Sequence, residues 1–351
     1  MYNERKQSVQ GDDKMDLYAK SFQQFAEVQA KGSSDLYYFL SHRIVEDEEL
    51  VTIVSEIPAS QPKPNLFFAS MQYLVSKTVS PLRSYYPSLT DVPLPVKQSF
   101  EPFKEFALHH KDQLIELFHT KLVQTNEVRR AAYLYPLFLR ISEETQKPLA
   151  LIEIGTSAGL LLCLDAYNYE YGNGIKITNA EDSILIASNN KGEKLPSYIY
   201  SKLQINNRIG IDLNIVDLKN EEDYDWMLAL IWPEHSKRRQ QFKEASQIAS
   251  GIKKELYEGD LTELLPTIIQ SLSTETQVVV FHTHVANQFP KQLKTNLMDL
   301  LNELSTKRPI YHIYNNMYDV NLHQDRLENG QALEEKILPS PDGHGRWFCW
   351  G

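Results

Sequence analysis

The spacing of apolar positions changes near residue 146 and divides the chain into two patterns. Before that point, apolar and aromatic residues recur every three or four positions, which is typical of helices with one buried face. The predicted helices of this part cover about 35–57, 65–77, 102–122 and 126–145. Proline-rich connections separate several of them. We therefore expect residues 1–145 to form a helical N-terminal domain or lid.

From residue 146 onward, short β-rich runs alternate with helical patterns, which predicts a doubly wound, mostly parallel sheet over 146–351. The predicted strands are 150–154, 208–213, 255–258, 278–281 and 309–314. A β-hairpin insertion is predicted around 174–188, with 174–178 paired to 183–187. A second hairpin, between 333–338 and 345–350, is expected to close the chain.

Composition narrows the class of protein. The chain has 351 residues, 42% of them hydrophobic, and a net charge of −10. That charge argues against non-specific nucleic-acid binding, which needs a basic surface. Two cysteines, Cys163 and Cys349, give no disulfide framework and no zinc signature. No run reaches transmembrane length, and Met1–Ser8 lacks an apolar signal region, so we expect a cytoplasmic protein that does not bind a membrane. The sequence does not indicate its oligomeric state.

The run Leu149–Leu160 is the strongest functional signal, because an apolar strand leads through Glu153 into a turn that contains Gly155 and Gly159. A dinucleotide fingerprint needs glycine at relative positions 1, 3 and 6, and two of those three positions hold Ser157 and Leu160. The Glu-x-Gly-x-x-x-Gly spacing resembles motif I of class I S-adenosylmethionine-dependent methyltransferases. That resemblance implies a cofactor held by Glu153, Gly155, Thr156, Ser157 and Gly159. An ordinary strand–turn–helix corner is the alternative interpretation.

Acidic residues also follow the next two predicted strands. In the architecture that motif I implies, Asp212 accepts hydrogen bonds from the ribose hydroxyls and Asp260 lies beside the adenine, with Asp217 as a rival for the ribose. Each acid can also be a helix N-cap or a loop residue, and Asp260 before Leu-Thr-Glu fits a cap well.

Other polar residues are candidates for catalysis or substrate binding. His282 is a candidate general base, and Glu127 a second catalytic group. His282 and His284 share a strand face if the strand continues, but a third metal ligand with a clear signature is missing, so no metal is predicted. The candidate substrate contacts are Asn126, Arg130, Trp232, His235, His284 and His344. Each candidate also has a structural interpretation. Thr125 or Asn126 can cap a helix, Trp232 can pack in the core, and the glycines around His344 can serve a tight turn.

Motifs spread over most of the chain resemble the bacterial family DUF2332, which has a methyltransferase-like fold. The matching motifs are Gln124–Glu127, Glu153–Leu160, Tyr169–Gly172, Gly210–Asn214 with Val216-Asp217, Trp232–Arg239, Glu258–Asp260, Val280–His282 and Gly343–Trp347. The resemblance implies a Rossmann-like α/β fold and S-adenosylmethionine as the cofactor. It implies no substrate.

The sequence thus predicts an S-adenosylmethionine-dependent methyltransferase with an unidentified, small-molecule acceptor. Two alternatives remain at this point. One is a non-catalytic S-adenosylmethionine-binding or regulatory protein of the same fold. The other is a metal-dependent hydrolase that uses His282 and His284.

Overall fold

The computed structural model of the protein describes residues 11–124 and 126–351. The α-helices of these residues are α1 (Gly11–Phe25), α2 (Asp35–Ile44), α3 (Glu48–Ser55), α4 (Lys63–Lys77), α5 (Phe100–His109), α6 (Lys111–Thr120), α7 (Ala131–Thr145), α8 (Glu221–Ala229), α9 (Ser236–Ser250), α10 (Leu261–Ser271) and α11 (Lys291–Ser305). The strands are β1 (Leu149–Ile154), β2 (Asn168–Glu170), β3 (Lys176–Ile177), β4 (Leu185–Ala187), β5 (Asn189–Asn190), β6 (Ile205–Asp212), β7 (Glu255–Glu258), β8 (Gln277–His282), β9 (Ile310–Tyr314), β10 (Leu322–Glu328), β11 (Gln331–Leu338) and β12 (Trp347–Phe348). The signal-region expectation for Met1–Ser8 and the helix cap at Thr125 fall outside the described residues.

The chain separates into two compact units. The helical unit comprises the described residues up to 124 together with Glu221–Gln240, and the sheet unit comprises Asn126–Asn220 together with Gln241–Gly351. No helix of the described ranges is long and apolar enough to cross a membrane.

Aromatic side chains fill the core of the helical unit. Tyr37 stacks on Phe68 with ring centroids 4.2 Å apart. Two of the predicted helices are each divided in two. The predicted helix 35–57 is divided into α2 and α3, because Asp47 acts as the N-cap of α3. Its carboxylate accepts a hydrogen bond from the backbone N–H of Leu50. The second divides at His110, between α5 and α6.

The sheet unit is mixed α/β, built on a large, mostly parallel sheet with the order β11-β10-β9-β8-β1-β6-β7. The strands from β7 to β9 are parallel to their neighbours, whereas β10 is antiparallel to both β9 and β11. The first five strands of this sheet in the chain therefore have the order 3-2-1-4-5. In such doubly wound sheets, ligands bind where the strand order reverses, at the carboxyl ends of the strands. Here that point lies between β1 and β8.

Helices cover both faces of this sheet. Leu265 of α10 and Leu301 of α11 share a buried cluster with Ile152 and Val280. Phe281 points to the opposite face, because side chains alternate along a strand, and its ring contacts Phe138 of α7 at 5.1 Å. Burial on both faces explains why β1 and β8 are apolar runs rather than alternating ones.

Both predicted hairpins are corrected by the structure. The segments around 174–188 do not pair with each other, because β2 lies between β3 and β4. The Asn168 side chain bonds the intervening loop through Asn179 and Ala180, which keeps the two segments apart. At the C-terminus β11 pairs with β10, whereas β12 pairs with β5. The Asn329-Gly330 turn, with both φ angles positive, provides the hairpin signal that the sequence reading missed.

Candidate site at the carboxyl edge of the sheet

The turn after β1 contains three residues with positive φ angles, a conformation that glycine adopts readily and serine does not. Gly155, Ser157 and Gly159 all have positive φ angles, of 72°, 51° and 69°. A Cβ at Gly155 would lie 2.4 Å from Cγ2 of Val285, which follows β8. Glycine is therefore required at position 155 for space as well as for conformation. Ser157 is not a glycine, so its left-handed conformation costs conformational free energy of about 1–3 kcal/mol.

Asp212 is tied to this turn. Its Oδ2 accepts a hydrogen bond from the backbone N–H of Ser157 at 2.7 Å, and its Oδ1 accepts one from the N–H of Asn214 at 3.1 Å. Burial raises the pKa of Asp212, although these N–H donors oppose the shift. The Ser157 hydroxyl is buried and has no hydrogen-bond partner among the described residues. The parallel pairing of β1 with β6 brings these two residues together from 55 positions apart.

Glu153 lies beside the same turn, and only 5% of its surface is exposed. Its Oε2 accepts a hydrogen bond from the Thr156 hydroxyl at 2.8 Å. Burial raises the pKa of Glu153 to about 8, and the nearby Asp212 adds to this, while Thr156 and Arg130 act against it. The carboxyl group is therefore mainly protonated at neutral pH. Buried acids with strongly shifted pKa values are concentrated at functional sites, which makes Glu153 a candidate site residue.

A cleft of about 650 Å³ adjoins the turn. Ala158 of the turn lines it, together with Asp217, Leu218 and Lys219 after β6 and Leu256 of β7. Its lining combines apolar side chains with the Asp217 carboxylate and three lysines, Lys219, Lys253 and Lys254, so it offers both apolar and charged contacts to a ligand.

Asp260 has a different environment from Asp212. It is exposed, and its Oδ1 accepts hydrogen bonds from the backbone N–H and the hydroxyl of Thr262. These bonds lower the pKa of Asp260 and make it the N-cap of α10. The structure thus gives the capping alternative a direct geometric basis.

Glu127 and His344 form a pair at this end of the sheet unit. Glu127 Oε2 lies 3.1 Å from Nδ1 of His344. The Glu127 side chain is only 3% exposed, whereas that of His344 is 45% exposed. Glu127 also accepts a hydrogen bond from the backbone N–H of Arg129 and caps the short helical turn Val128–Arg130. Nδ2 of the adjacent Asn126 is buried and has no hydrogen-bond partner among the described residues.

Arg130 joins this pair to the sheet. Its Nε donates to the carbonyl oxygen of Gly343 at 3.1 Å, and its Nη1 donates to that of Thr283 at 3.3 Å. Gly345 packs so closely on the chain that a Cβ there would lie 2.6 Å from the carbonyl oxygen of Arg129. The turn that carries His344 is thus held against residues just before α7 and just after β8.

Asp342 fixes the internal shape of that turn. Its Oδ1 accepts hydrogen bonds from the backbone N–H groups of His344 and Arg346, and both of its oxygens bond the Arg346 guanidinium. Burial opposes ionisation of Asp342, but the bonds from Arg346 outweigh it and lower its pKa to about 2. The carboxylate is therefore charged at any physiological pH.

His282 is part of the protein core rather than of a surface site. It is fully buried, and its Nε2 lies 3.2 Å from Nε2 of His312, which is also fully buried. Burial lowers the pKa of His282 to about 3, and Lys294 adds to this, so the ring stays neutral. The geometry therefore does not favour His282 as a base that contacts a substrate.

His284 does not continue the strand. β8 ends at His282, and His284 has a φ of 59°. Its backbone N–H donates to Oδ1 of Asn315, so Nδ2 of the same amide donates to Nε2 of His284. The other ring nitrogen, Nδ1, lies 3.4 Å from Nδ2 of Asn316. Burial and the nearby Arg130 and His344 lower the pKa of His284 to about 4. Within the described ranges no group of three or more His, Cys, Asp or Glu residues is arranged to hold a metal ion.

Two predicted substrate contacts belong to the helical unit. The Trp232 ring lies 5.3 Å from that of Phe25 and 5.7 Å from that of Tyr37, so it is part of the aromatic packing there. His235 Nε2 contacts Ser33, and its Nδ1 lies 2.9 Å from Nη1 of Arg238. The packing alternative for Trp232 is thus observed directly.

Sequence reasoning missed four residues that shape the site: Val285, Asn315, Asn316 and Asp342. Val285 and the two asparagines carry no motif, and they become relevant only because β8 and β9 are neighbours in the sheet. Asp342 was within reach, because an aspartate followed by Gly-His-Gly is typical of a tight turn closed by its own side chain.

The comparison with protein families identifies the family of the chain. Residues 19–350 match the family model described as "Uncharacterized protein conserved in bacteria (DUF2332)". The chain belongs to the DUF2332 family. No curated protein matches it, and no solved structure matches it. The family membership predicted from the scattered motifs is therefore confirmed, while it adds no substrate or cofactor to the geometry.

Proposed function

We propose that this DUF2332 protein binds S-adenosylmethionine at the Gly155–Gly159 turn and transfers the methyl group to a small-molecule acceptor. The observation that carries the proposal is the position of two carboxyl groups, Glu153 and Asp212, at the ends of neighbouring parallel strands beside one glycine-containing turn. The reversal of strand order between β1 and β8 supports it, because that is where open α/β sheets bind ligands.

The polar groups at the turn fit those of the cofactor. Glu153 is a partner for its ammonium group once it ionises, and the unpaired Ser157 hydroxyl is a donor for its carboxylate. Asp212 is a partner for the ribose hydroxyls, since a carboxylate only accepts hydrogen bonds and this one lies at the end of β6, beside the turn. Asp260 is left out of the proposed set, because it is exposed and caps α10.

When bound, S-adenosylmethionine supplies an electrophilic methyl group on a sulfonium centre. The protein then has to bind, orient and keep water out. Val285 packs over Gly155 and gives the turn one apolar wall. The buried Glu153 and Ser157 hold polar groups in a region of low solvent access, where their hydrogen bonds are strong. Alignment of an acceptor with the methyl group provides most of the rate enhancement available to such a site.

The two strand-end aspartates provide a matched test. Calorimetric titration with S-adenosylmethionine is expected to show binding to the unmodified protein and at least about tenfold weaker binding to Asp212→Asn, the effect of losing one hydrogen bond to a charged group. Asp260→Asn is expected to change the affinity by less than about twofold, because asparagine caps helices as well as aspartate does. Thermal unfolding of each variant checks the fold. The proposal fails if the unmodified protein does not bind, or if both variants lose affinity equally.

A further inference from the structure

The Glu127–His344 pair has the arrangement of a buried carboxylate that orients a solvent-accessible imidazole. The hydrogen bond joins Glu127 to Nδ1 of His344, and the described residues supply no hydrogen-bond partner to Nε2 of that ring. Glu127 accepts but cannot donate when ionised, so Nδ1 carries the proton and Nε2 presents its lone pair outward. A ring held in one tautomer in this way is ready to accept a proton.

The exposure of the two partners separates this pair from another histidine–carboxylate contact of the sheet unit. In the His323–Asp319 contact the histidine side chain is 10% exposed and the carboxylate 46%. In the Glu127–His344 contact the order is reversed, at 3% for the carboxylate and 45% for the histidine. Only the second arrangement buries the orienting group and leaves the reactive nitrogen accessible.

The turn around His344 is fixed at several points, which holds the ring in place. Arg130 bonds the carbonyl oxygen of Gly343, Asp342 bonds the His344 N–H, and Gly345 packs on the chain at Arg129. Arg130 also bonds the carbonyl oxygen of Thr283, at the end of β8. The pair therefore lies at the same carboxyl edge of the sheet as the Gly155–Gly159 turn.

We propose that His344 is the general base of this site, with Glu127 as its positioning residue, and that the acceptor is a neutral hydroxyl or amine that must lose a proton. This inference rests on the proposed methyl transfer. The acceptor oxygen or nitrogen forms a bond to the methyl carbon, while the bond from that carbon to the sulfonium sulfur breaks and its electron pair stays on the sulfur. The proton of the acceptor goes to Nε2 of His344. A thioether or a tertiary amine has no proton to lose and would not need this pair.

The Glu127–His344 pair, or dyad, can be tested without knowing the acceptor. The reagent is diethyl pyrocarbonate, which acylates neutral imidazole nitrogens. The full-length protein is labelled at about pH 8 and the rate at each histidine is read by peptide mass spectrometry. We expect His344 to react several-fold faster than His109, which is exposed and has no carboxylate contact in the described residues. Glu127→Gln is expected to slow His344 by about tenfold, because the ring loses the carboxylate that raises its basicity, and to leave His109 unchanged.

Glu127→Asp provides a second variant that keeps the carboxylate, and it should restore part of the rate if the charge is what activates the ring. Thermal unfolding shows whether each variant keeps its fold. The inference is overturned if His344 reacts no faster than His109, or if removal of the Glu127 charge leaves the His344 rate unchanged in a folded protein. S-adenosylmethionine titration of the unmodified protein separates the two proposals. Fast labelling without cofactor binding would reject the methyl transfer alone, and cofactor binding with slow labelling would reject the dyad alone.

Discussion

Glu153 near the end of β1 and His282 at the end of β8 lie on neighbouring parallel strands, and both side chains are almost completely buried. Burial shifts the pKa of each toward the neutral form, upward to about 8 for the acid and downward to about 3 for the histidine. Their surroundings differ. His282 points to the face that Val280 shares with α10 and α11, and it pairs with His312. Glu153 points to the other face, and its Oε2 accepts a hydrogen bond from the hydroxyl of the turn residue Thr156.

This difference separates a polar group that belongs to the core from one that we propose as a ligand contact. The His282 ring contacts the buried ring of His312, so a change in its protonation would disturb the core. Glu153 lies beside an unpaired hydroxyl and a second carboxyl group, where the arrival of a cation would favour its ionised form. A shifted pKa therefore identifies buried groups, and the neighbours decide which of them can act.

The largest expected effect is on the pH dependence of stability, and it has opposite signs in the two regions. The folded pKa of Glu153 is raised to about 8, so its contribution is complete below about pH 4.5 and is lost as the pH rises through about 8. The folded pKa of His282 is lowered to about 3, so its contribution is present above about pH 6.5 and is lost as the pH falls toward 3.

Urea unfolding across this range measures both effects. At about 1.4 kcal/mol per pH unit, the difference in unfolding free energy between the unmodified protein and Glu153→Gln should change by up to about 4 kcal/mol between pH 4.5 and 8. His282→Leu should remove part of the loss at acidic pH. Parallel pH curves for the unmodified protein and Glu153→Gln would show that Glu153 is not held neutral.

The second effect concerns the contact between the two strand ends. Gly155→Ala introduces a Cβ that would lie 2.4 Å from the Val285 side chain, in a backbone with positive φ. We expect a loss of about 2–4 kcal/mol in unfolding free energy, from the conformational cost and the overpacking together. Gly174→Ala is the matched control, since Gly174 has a φ of 78° and no atom within 4 Å of the added Cβ. It should lose only about 1–2 kcal/mol.

Val285→Ala in the Gly155→Ala background checks this assignment. The double variant should regain the overpacking part and leave a coupling energy of roughly 1 kcal/mol or more between the two positions. Equal losses for Gly155→Ala and Gly174→Ala would contradict the close approach of Val285.

The smallest effect is expected in the histidine core. His282→Leu leaves Nε2 of His312 without its partner, which should cost about 1–3 kcal/mol. The double variant His282→Leu with His312→Leu should cost less than the sum of the two single variants, because no unpaired nitrogen remains. Denaturant unfolding measures the three values. Additive losses would show that the two rings do not depend on each other.

Much of the fold could be predicted from the sequence, because the signals were local. The apolar run of β1 and the β-rich run of β8 mark buried parallel strands, and β7 has the bounds that its pattern predicted. Both hairpins were assigned wrongly, because the pairing of a strand depends on which other strands the fold places beside it, and not only on its own residues. Residues 185–187 pair with β2 for that reason.

The site was harder to predict, because its residues meet through pairings that no local pattern records. Asp212 and Asp260 had equal standing as acids after strands, and the contact of Asp212 with Ser157 separates them. His282 and His284 were expected to share a strand face if the strand continued, but β8 ends at His282. Glu127 and His344 were both candidates in the sequence, yet only the fold of the C-terminal turn joins them across 217 positions.

Proton release on cofactor binding tests the central claim most directly. If Glu153 ionises to hold the ammonium group of S-adenosylmethionine, binding at about pH 6.5 should release close to one proton, because a pKa of about 8 leaves the free carboxyl protonated there. Calorimetry in two buffers of different ionisation enthalpy gives that number, and Glu153→Gln should release none. Binding without proton release, or equal release by Glu153→Gln, would contradict the account.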